Sequence, residues 1–389
     1  MGAGRGRCLG EAGGLCNRLC LMPGIDGQGR GSLWCREIID DLTGKVSMAM
    51  KLPFARSLLA GCAALFLVAC QPADTEAKAT VEGGAPGAEA CDVSRRAELR
   101  QVRPELEAAA LEAARASRGS GAPALWTLRD EDTTIHFLGT VHLLRPELNW
   151  MSPEIEAAVA SADTIVFEAD TTSPEAQREL MKFYTTQGFF TDGTQLTHFL
   201  SESETADLKA ALETVGLPVE ALLPHRPWMA AVNISVTQML DEGFDPESGV
   251  EKVIERAALA HGAGFAFLET VEQQLGGLAG LGYCEQVDFL MATVDGIGEG
   301  AGALDLLVEE WADGDVHGIG VLMANPEMLG SQPIYDVMMT DRNARWVPQI
   351  TAMLDEPGTV LVAVGAGHLA GKDSVIEMLR AEGYEVTGP

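Results

Sequence analysis

Two segments of the chain, "HFLGTVHLL" and "VLVAVGAGHLAG", end a hydrophobic run in the same Gly-x-x-His spacing, giving Gly139 with His142 and Gly365 with His368. Two further apolar runs, "TIVF" and "FAFL", stop at Glu168 and Glu269. Two imidazoles and one or two carboxylates form a common divalent-metal set, and His142, Glu168 and His368 are the expected ligands of Mn, Co or Zn. Such a metal would activate a water as nucleophile, and Glu269, left off it, could act as general base. Without a metal, either histidine could serve as the base. Any one of the four residues alone is more often structural than functional. The coincidence of four strand-end polar residues carries the reading.

That coincidence has meaning only if the runs become neighbouring strands. The segment "MSPEIEAAVASADTIVFEAD" predicts a helix with Ser152 as N-cap, Pro153 in the first turn and Ile155, Ala158, Val159 and Ala162 on one face, then a strand from Thr164. Strand, helix, strand within so few residues is a βαβ unit with parallel strands. The pattern repeats at "ESGVEKVIERAALAHGAGFAFLE", where Gly262 or Gly264 stops the helix, and ends with a strand at Thr359–Val364. A turn over Arg129–Asp132 predicts a hairpin into the first of these strands, and "YDVMMTDRNARWVPQITAMLD" reads as an amphipathic helix. The expected fold is α/β: a central, mostly parallel mixed sheet flanked by helices, with a helical insertion at about 173–240. Ligands of such sheets bind beyond the carboxyl ends of the strands. Each glycine should permit the tight, positive-φ turn that swings its histidine back over the sheet edge, and should allow close backbone approach.

The ordered set of motifs resembles the TraB/GumN family, which includes the Tiki proteases. "LGTVHLL" with "FEAD" matches the first hallmark and "VAVGAGHLAG" with "LRAEGYEV" the second. "RPWMAA", "GFDPESGVEKVIERAA", "FLETVEQQL", "EEWADGD" and "DRNARWVPQI" lie between them in family order. The resemblance runs from about Trp126 to Val386. It implies a core related to the erythromycin-esterase and haem-binding ChaN-like folds, and a peptide- or protein-cleaving hydrolase dependent on a divalent metal. It implies that His142 and His368 are metal or catalytic residues, with Glu168 and Glu269 as acidic partners. Arg342 and Asn343 match a recurring Arg-Asn pair: Arg342 either holds a substrate carboxylate or an oxyanion, or pairs with surface acids, and Asn343 lies with it against substrate. Asp245 is either a wall of the site or, before Pro246, a turn former. A metal-independent ester hydrolase and a haem- or peptide-binding protein without turnover are the alternatives. No HExxH, GxSxG, Walker or post-strand GxGxxG motif is present.

The remaining features concern location. From Met50 the chain reads "MKLPFARSLLAGCAALFLVACQ", with basic Lys51 and Arg56, an apolar run too short to span a bilayer, and Leu67-Val68-Ala69-Cys70. Residues 50–70 resemble a lipoprotein signal peptide with Cys70 as the lipidated residue; the alternative is an ordinary signal with a coincidental cysteine. Gln71 after the cysteine resembles outer-membrane retention. Residues 1–49 read as an over-extended start or a disordered leader, 71–90 as a flexible tether, and 91–389 as the catalytic domain. Cys91 and Cys284 are then left as an even pair in an oxidising compartment, where a disulfide is expected. The expected location is the bacterial cell envelope, with a lipid anchor in the membrane and the domain facing the periplasm. With 57 acidic against 27 Lys and Arg residues, a formal charge of −30, the surface repels nucleic-acid phosphates, so no nucleic-acid partner is expected.

Overall fold

The computed structural model describes residues 91–297 and 302–389. The expected signal segment, Cys70 and the tether lie outside the described residues. Six strands, β1 (Leu125–Arg129), β2 (Thr133–Thr140), β3 (Thr164–Ala169), β4 (Gly264–Glu269), β5 (Gly358–Gly365) and β6 (Val386–Thr387), form one sheet in the order β4-β3-β5-β2-β1-β6. β3 pairs in parallel with β4 and β5, and β5 in parallel with β2. The four runs that end in candidate chemistry are therefore adjacent and point the same way. β1 closes the sheet as the antiparallel arm of a hairpin with β2, and Asp130 Oδ1 accepts from the Thr133 amide at 2.8 Å in its turn.

The strands are apolar on both faces because helices cover both, as burial of a parallel sheet requires. On one side Ile155, Val159, Val250, Ile254 and Trp311 pack against Ile165, Phe167 and Leu361. On the other, Trp346, Ile350, Ile376 and Leu379 pack against Val166, Val362 and Val364. The helix Pro153–Ser161 begins as its sequence dictates, with Ser152 Oγ accepting from the Ile155 amide and Pro153 at the first position. The helix Val250–His261 ends at Gly262, whose φ of 84° is the left-handed conformation that a side chain disfavours.

Between β3 and β4 the chain is helical, and the helices Glu202–Thr214 and Pro227–Asp241 join Tyr283–Ile297 around a separate core of Leu208, Leu212, Ile234 and Leu290. The first described helix, Val93–Ala116, docks onto this layer through charge. Arg96 donates to Glu204 at 2.8 Å and to Asp288 at 3.2 Å, Arg100 donates to Asp207 and Asp295, each at 2.8 Å, and Arg103 pairs with Asp295. Cys91 and Cys284 form a disulfide with Cα atoms 5.3 Å apart, pinning the start of that helix to Tyr283–Ile297. Among the described residues no helix is long and apolar enough to cross a membrane.

A crosslink over 193 residues of sequence removes much of the unfolded chain's freedom, an effect on the order of 2–5 kcal/mol. The double variant Cys91→Ser/Cys284→Ser should lose stability of that size, read as a lower midpoint in urea unfolding.

Candidate functional site

Glu168 and Glu269 end β3 and β4, and both carboxylates are buried. Between them lies the guanidinium of Arg342, on the helix Asp341–Ala352. Its Nε donates to Glu269 Oε1 at 3.0 Å and its Nη2 to Glu168 Oε2 at 2.6 Å and also to Glu269. Nη1 donates to the Met338 carbonyl at 3.3 Å and to Nε2 of His368 at 3.1 Å. These bonds use all five N–H donors of the arginine. Arg342 is therefore neither a surface residue nor a free hand for substrate. A π-helical turn over Asp336–Thr340, where the sequence reads as plain α-helix, precedes it and supplies the Met338 carbonyl. π-Turns at such positions change the register of the helix face, here turning both Arg342 and Asn343 inward.

His368 sits in the short turn after β5 with 4% of its surface exposed. Its Nδ1–H donates to Asn343 Oδ1 at 2.7 Å, which leaves Nε2 as the acceptor for Arg342. The Trp346 ring packs 4.5 Å from the imidazole. Burial, then the neighbouring guanidinium, push His368 down to about 3, so it stays neutral. Asn343 spends its amide on His368 and on the Asp373 carbonyl, at 2.7 Å. It is buried behind the site, not on a substrate wall.

Glu168 is also held by Gly365 N–H at 2.7 Å and by Gln274 at 2.9 Å. Desolvation opposes its charge, yet His368, Arg342 and His142 together hold it far below the usual carboxylate range. Glu269 moves the other way: burial raises it more than its bonds to Arg342 lower it. The two Gly-x-x-His glycines do not adopt positive φ, contrary to the turn expected of them. Their role is clearance. A Cβ on Gly139 would lie 3.0 Å from the Ala366 Cα, and one on Gly365 would lie 3.0 Å from Glu168 Oε1.

His142 stands apart from this buried group. It follows β2 by two residues, and 64% of its side chain is accessible. The N-terminus of the helix Val250–His261 fixes its loop: the Val250 amide donates to the Val141 carbonyl at 3.1 Å, and a Cβ on Gly249 would lie 2.1 Å from the His142 carbonyl oxygen. That geometry sets Glu251, in the first helical turn, against the imidazole. His142 Nδ1–H donates to Glu251 Oε1 at 2.6 Å, and Thr140 Oγ1 donates to the same oxygen at 2.6 Å. The Glu251 carboxylate, with help from Glu168, raises His142 to about 9. Both His142 and Glu251 line a cleft of about 570 Å³ whose other walls include Glu168, Leu259, Phe265 and Phe267.

The donors as arranged do not fit the metal expected at His142, Glu168 and His368. Nε2 of His368 faces a guanidinium, both Glu168 oxygens are engaged, and His142 is turned to Glu251. Among the described residues no group of three His, Cys, Asp or Glu side chains is placed to hold a metal. Asp245 caps the turn Pro246–Ser248 by accepting from the Glu247 amide at 2.9 Å, and so acts as the turn former. Two of the other histidines serve structure: His136 bonds Thr127 across the hairpin, and His225 packs 4.5 Å from Phe189.

The TraB/PrgY/gumN family model matches residues 124–388, a span that holds the sheet, all four strand-end residues, Glu251 and Arg342. The chain belongs to this family. It is also 24% identical over 245 residues to the Uncharacterized protein YbaP of Escherichia coli (strain K12), covering 63% of this chain and 87% of that protein. The Uncharacterized protein YbaP of Shigella flexneri gives the same figures. No solved structure gives a significant match. The paired Gly-x-x-His histidines of this chain thus occupy unlike environments, one buried and neutral, one open and readily protonated.

Glu251 and Gln274 were not legible as site residues. An acid in the first turn of a helix is ordinary dipole complementation, and nothing in its spacing points to a histidine over a hundred positions away. The environment of His368 has a measurable consequence. It is neutral in the fold while the unfolded chain protonates near 6.5, so unfolding takes up a proton and stability falls as pH drops below that value. His136 and His225 share this sign. His368→Gln should reduce the slope of stability against pH between 5 and 6.5 by about 1 kcal/mol per unit, measured by urea unfolding.

Proposed function

We propose that this chain hydrolyses an acyl bond in the His142 cleft, with His142 as general base and Glu251 as the carboxylate that orients it. One observation carries the reading: His142, the strand-end histidine that opens to a cleft among the described residues, has its Nδ1–H committed to the half-buried Glu251 carboxylate, leaving Nε2 to take a proton from water. Glu251 fixes the tautomer and stabilises the imidazolium that forms, as the acid of a hydrolytic triad does. Arg342, Glu168 and His368 form the rigid floor beneath it and hold the β3 and β5 ends in place.

His142 must be neutral to act as base, and its raised pKa means that this form grows only as pH rises towards 9. kcat/KM should therefore climb with pH, reach half its plateau near 9 and level off above it. Glu251→Gln should move that limb towards the ordinary imidazole value of 6.5 and lower the plateau, while His142→Ala should cut kcat by about a hundredfold or more. A pH profile unchanged in Glu251→Gln would remove the dyad. Metal analysis of the purified protein forms the second arm. Stoichiometric Mn, Co or Zn that tracks activity would replace this reading with a metal-dependent peptidase, which requires Arg342 to leave His368.

We also propose that the protein is a lipoprotein of the bacterial cell envelope, anchored through Cys70 with the domain in the periplasm. The apolar run ending in Leu67-Val68-Ala69-Cys70 and the Cys91–Cys284 disulfide support it. Cys70→Ser should shift the protein from the membrane to the soluble fraction; unchanged fractionation would count against the anchor.

A further inference from the structure

Resting on the His142 cleft as the substrate site, we propose that the free edge of β4 receives an extended peptide segment as a seventh strand. An apolar side chain of that segment packs on Phe267 and Leu259, with a basic residue beside it. β4 ends the sheet, and among the described residues β3 is its one neighbouring strand. The backbone groups of an edge strand that face away from the sheet are a template for another chain. Proteins usually guard such edges with lysine, proline or a covering element, yet β4 reads Gly-Phe-Ala-Phe-Leu-Glu. At its carboxyl end a side chain takes up the Leu268 carbonyl, with Gln349 Nε2 donating at 3.0 Å.

The apolar surface is concentrated where a substrate side chain would sit. Phe267 is 40% exposed and Leu259 61%, and both line the cleft that holds His142. Phe267 also borders a second cleft, of about 530 Å³, which continues past Glu269 and Gln349. That cleft shares Glu179, Thr270 and Val271 with a third, of about 570 Å³, against the helix Pro174–Gln187. Two of the clefts are lined by residues of β4 and each adjoins the next through shared walls, a continuity that suits an extended chain, where a small ester would need only one.

Charge selects the occupant. Asp170, Glu175, Glu179, Glu255 and Glu272 line this track against Lys182, Lys252 and the protonated His142, and two of these cations are already paired, Lys252 with Glu255 at 3.1 Å and His142 with Glu251 at 2.6 Å. Residues 71–90 of the chain itself carry Asp74, Glu76, Glu82 and Glu89 against Lys78 alone. A second copy is also strongly acidic, with its formal charge of −30. Neither complements the track, whereas a foreign segment with an apolar residue next to lysine or arginine does.

The test measures binding by titration calorimetry to the full chain carrying His142→Ala, with end-blocked hexapeptides Ala-Ala-Xaa-Lys-Ala-Ala. Xaa as Phe or Leu should bind about tenfold tighter than Xaa as Asp. Changing the peptide's lysine to glutamate, or N-methylating the backbone around Xaa, should each cost about tenfold. Phe267→Ser and, separately, Leu259→Ser should shrink the apolar preference; both residues are at the surface, so thermal melts should match the parent. Equal binding of all Xaa, indifference to N-methylation, or an intact preference in both variants would overturn the proposal. Because binding is read without His142, a failure of the general-base assignment leaves this result untouched.

Discussion

The site is organised around one buried guanidinium. Two carboxylates at the ends of adjacent strands would repel each other in an interior that solvates neither, and Arg342 makes that pairing tolerable by bonding both. The arrangement contributes little net stability, because desolvating three charges offsets most of their attraction. Its value lies in what removal would cost: two unpaired buried carboxylates, a penalty of several kcal/mol by analogy with other broken buried pairs. The fold is thereby committed to one relative position of β3, β4 and the helix that follows the π-turn. His368 is drawn into the same commitment through its acceptor nitrogen.

This commitment divides the two Gly-x-x-His histidines by environment. His368, shut away between Arg342, Asn343 and Trp346, is kept neutral by burial and by the adjacent cation, and its ring nitrogens are both spoken for. His142 lies on the open side of the strand ends, beside a carboxylate and away from direct contact with the cation, so its proton is held more tightly. The same residue type at the same spacing thus has pKa values near 3 and 9. Separated values of this kind are what let one member take part in proton transfer while another serves as framework.

The glycines show how a correct pattern can have a different cause. A Gly-x-x-His after a strand suggests a positive-φ turn, but neither Gly139 nor Gly365 adopts one. β2 and β5 are neighbours, with Gly139 in register with Val364 and Thr140 with Gly365, so the two motifs are built at the same level of the sheet. Gly139 clears the backbone of the second motif at Ala366, and Gly365 offers its amide to Glu168 at a distance that a side chain would obstruct. The repeat reflects two strand ends packing on each other and on a third.

Much of the fold was legible locally. Ser152 and Pro153 set a helix start, Gly262 a helix stop, and the β-branched runs their strands, because caps, φ preferences and apolar runs act over a few residues. The short βαβ connection from β2 to β3 made their parallel direction legible, but β5 enters between them from far along the chain, so the order that sets the four strand ends side by side was not. Partners that meet from distant parts of the chain were not legible: Glu251 on His142, Gln274 on Glu168, and Arg342 turned inward by a π-turn that no periodicity announces. By itself, then, the sequence determined a parallel α/β sheet with His142, Glu168, Glu269 and His368 at its carboxyl edge. Only the tertiary structure decided that Arg342 takes the place between the carboxylates and that His142 faces the cleft, because burial and charge pairing depend on which distant groups arrive together.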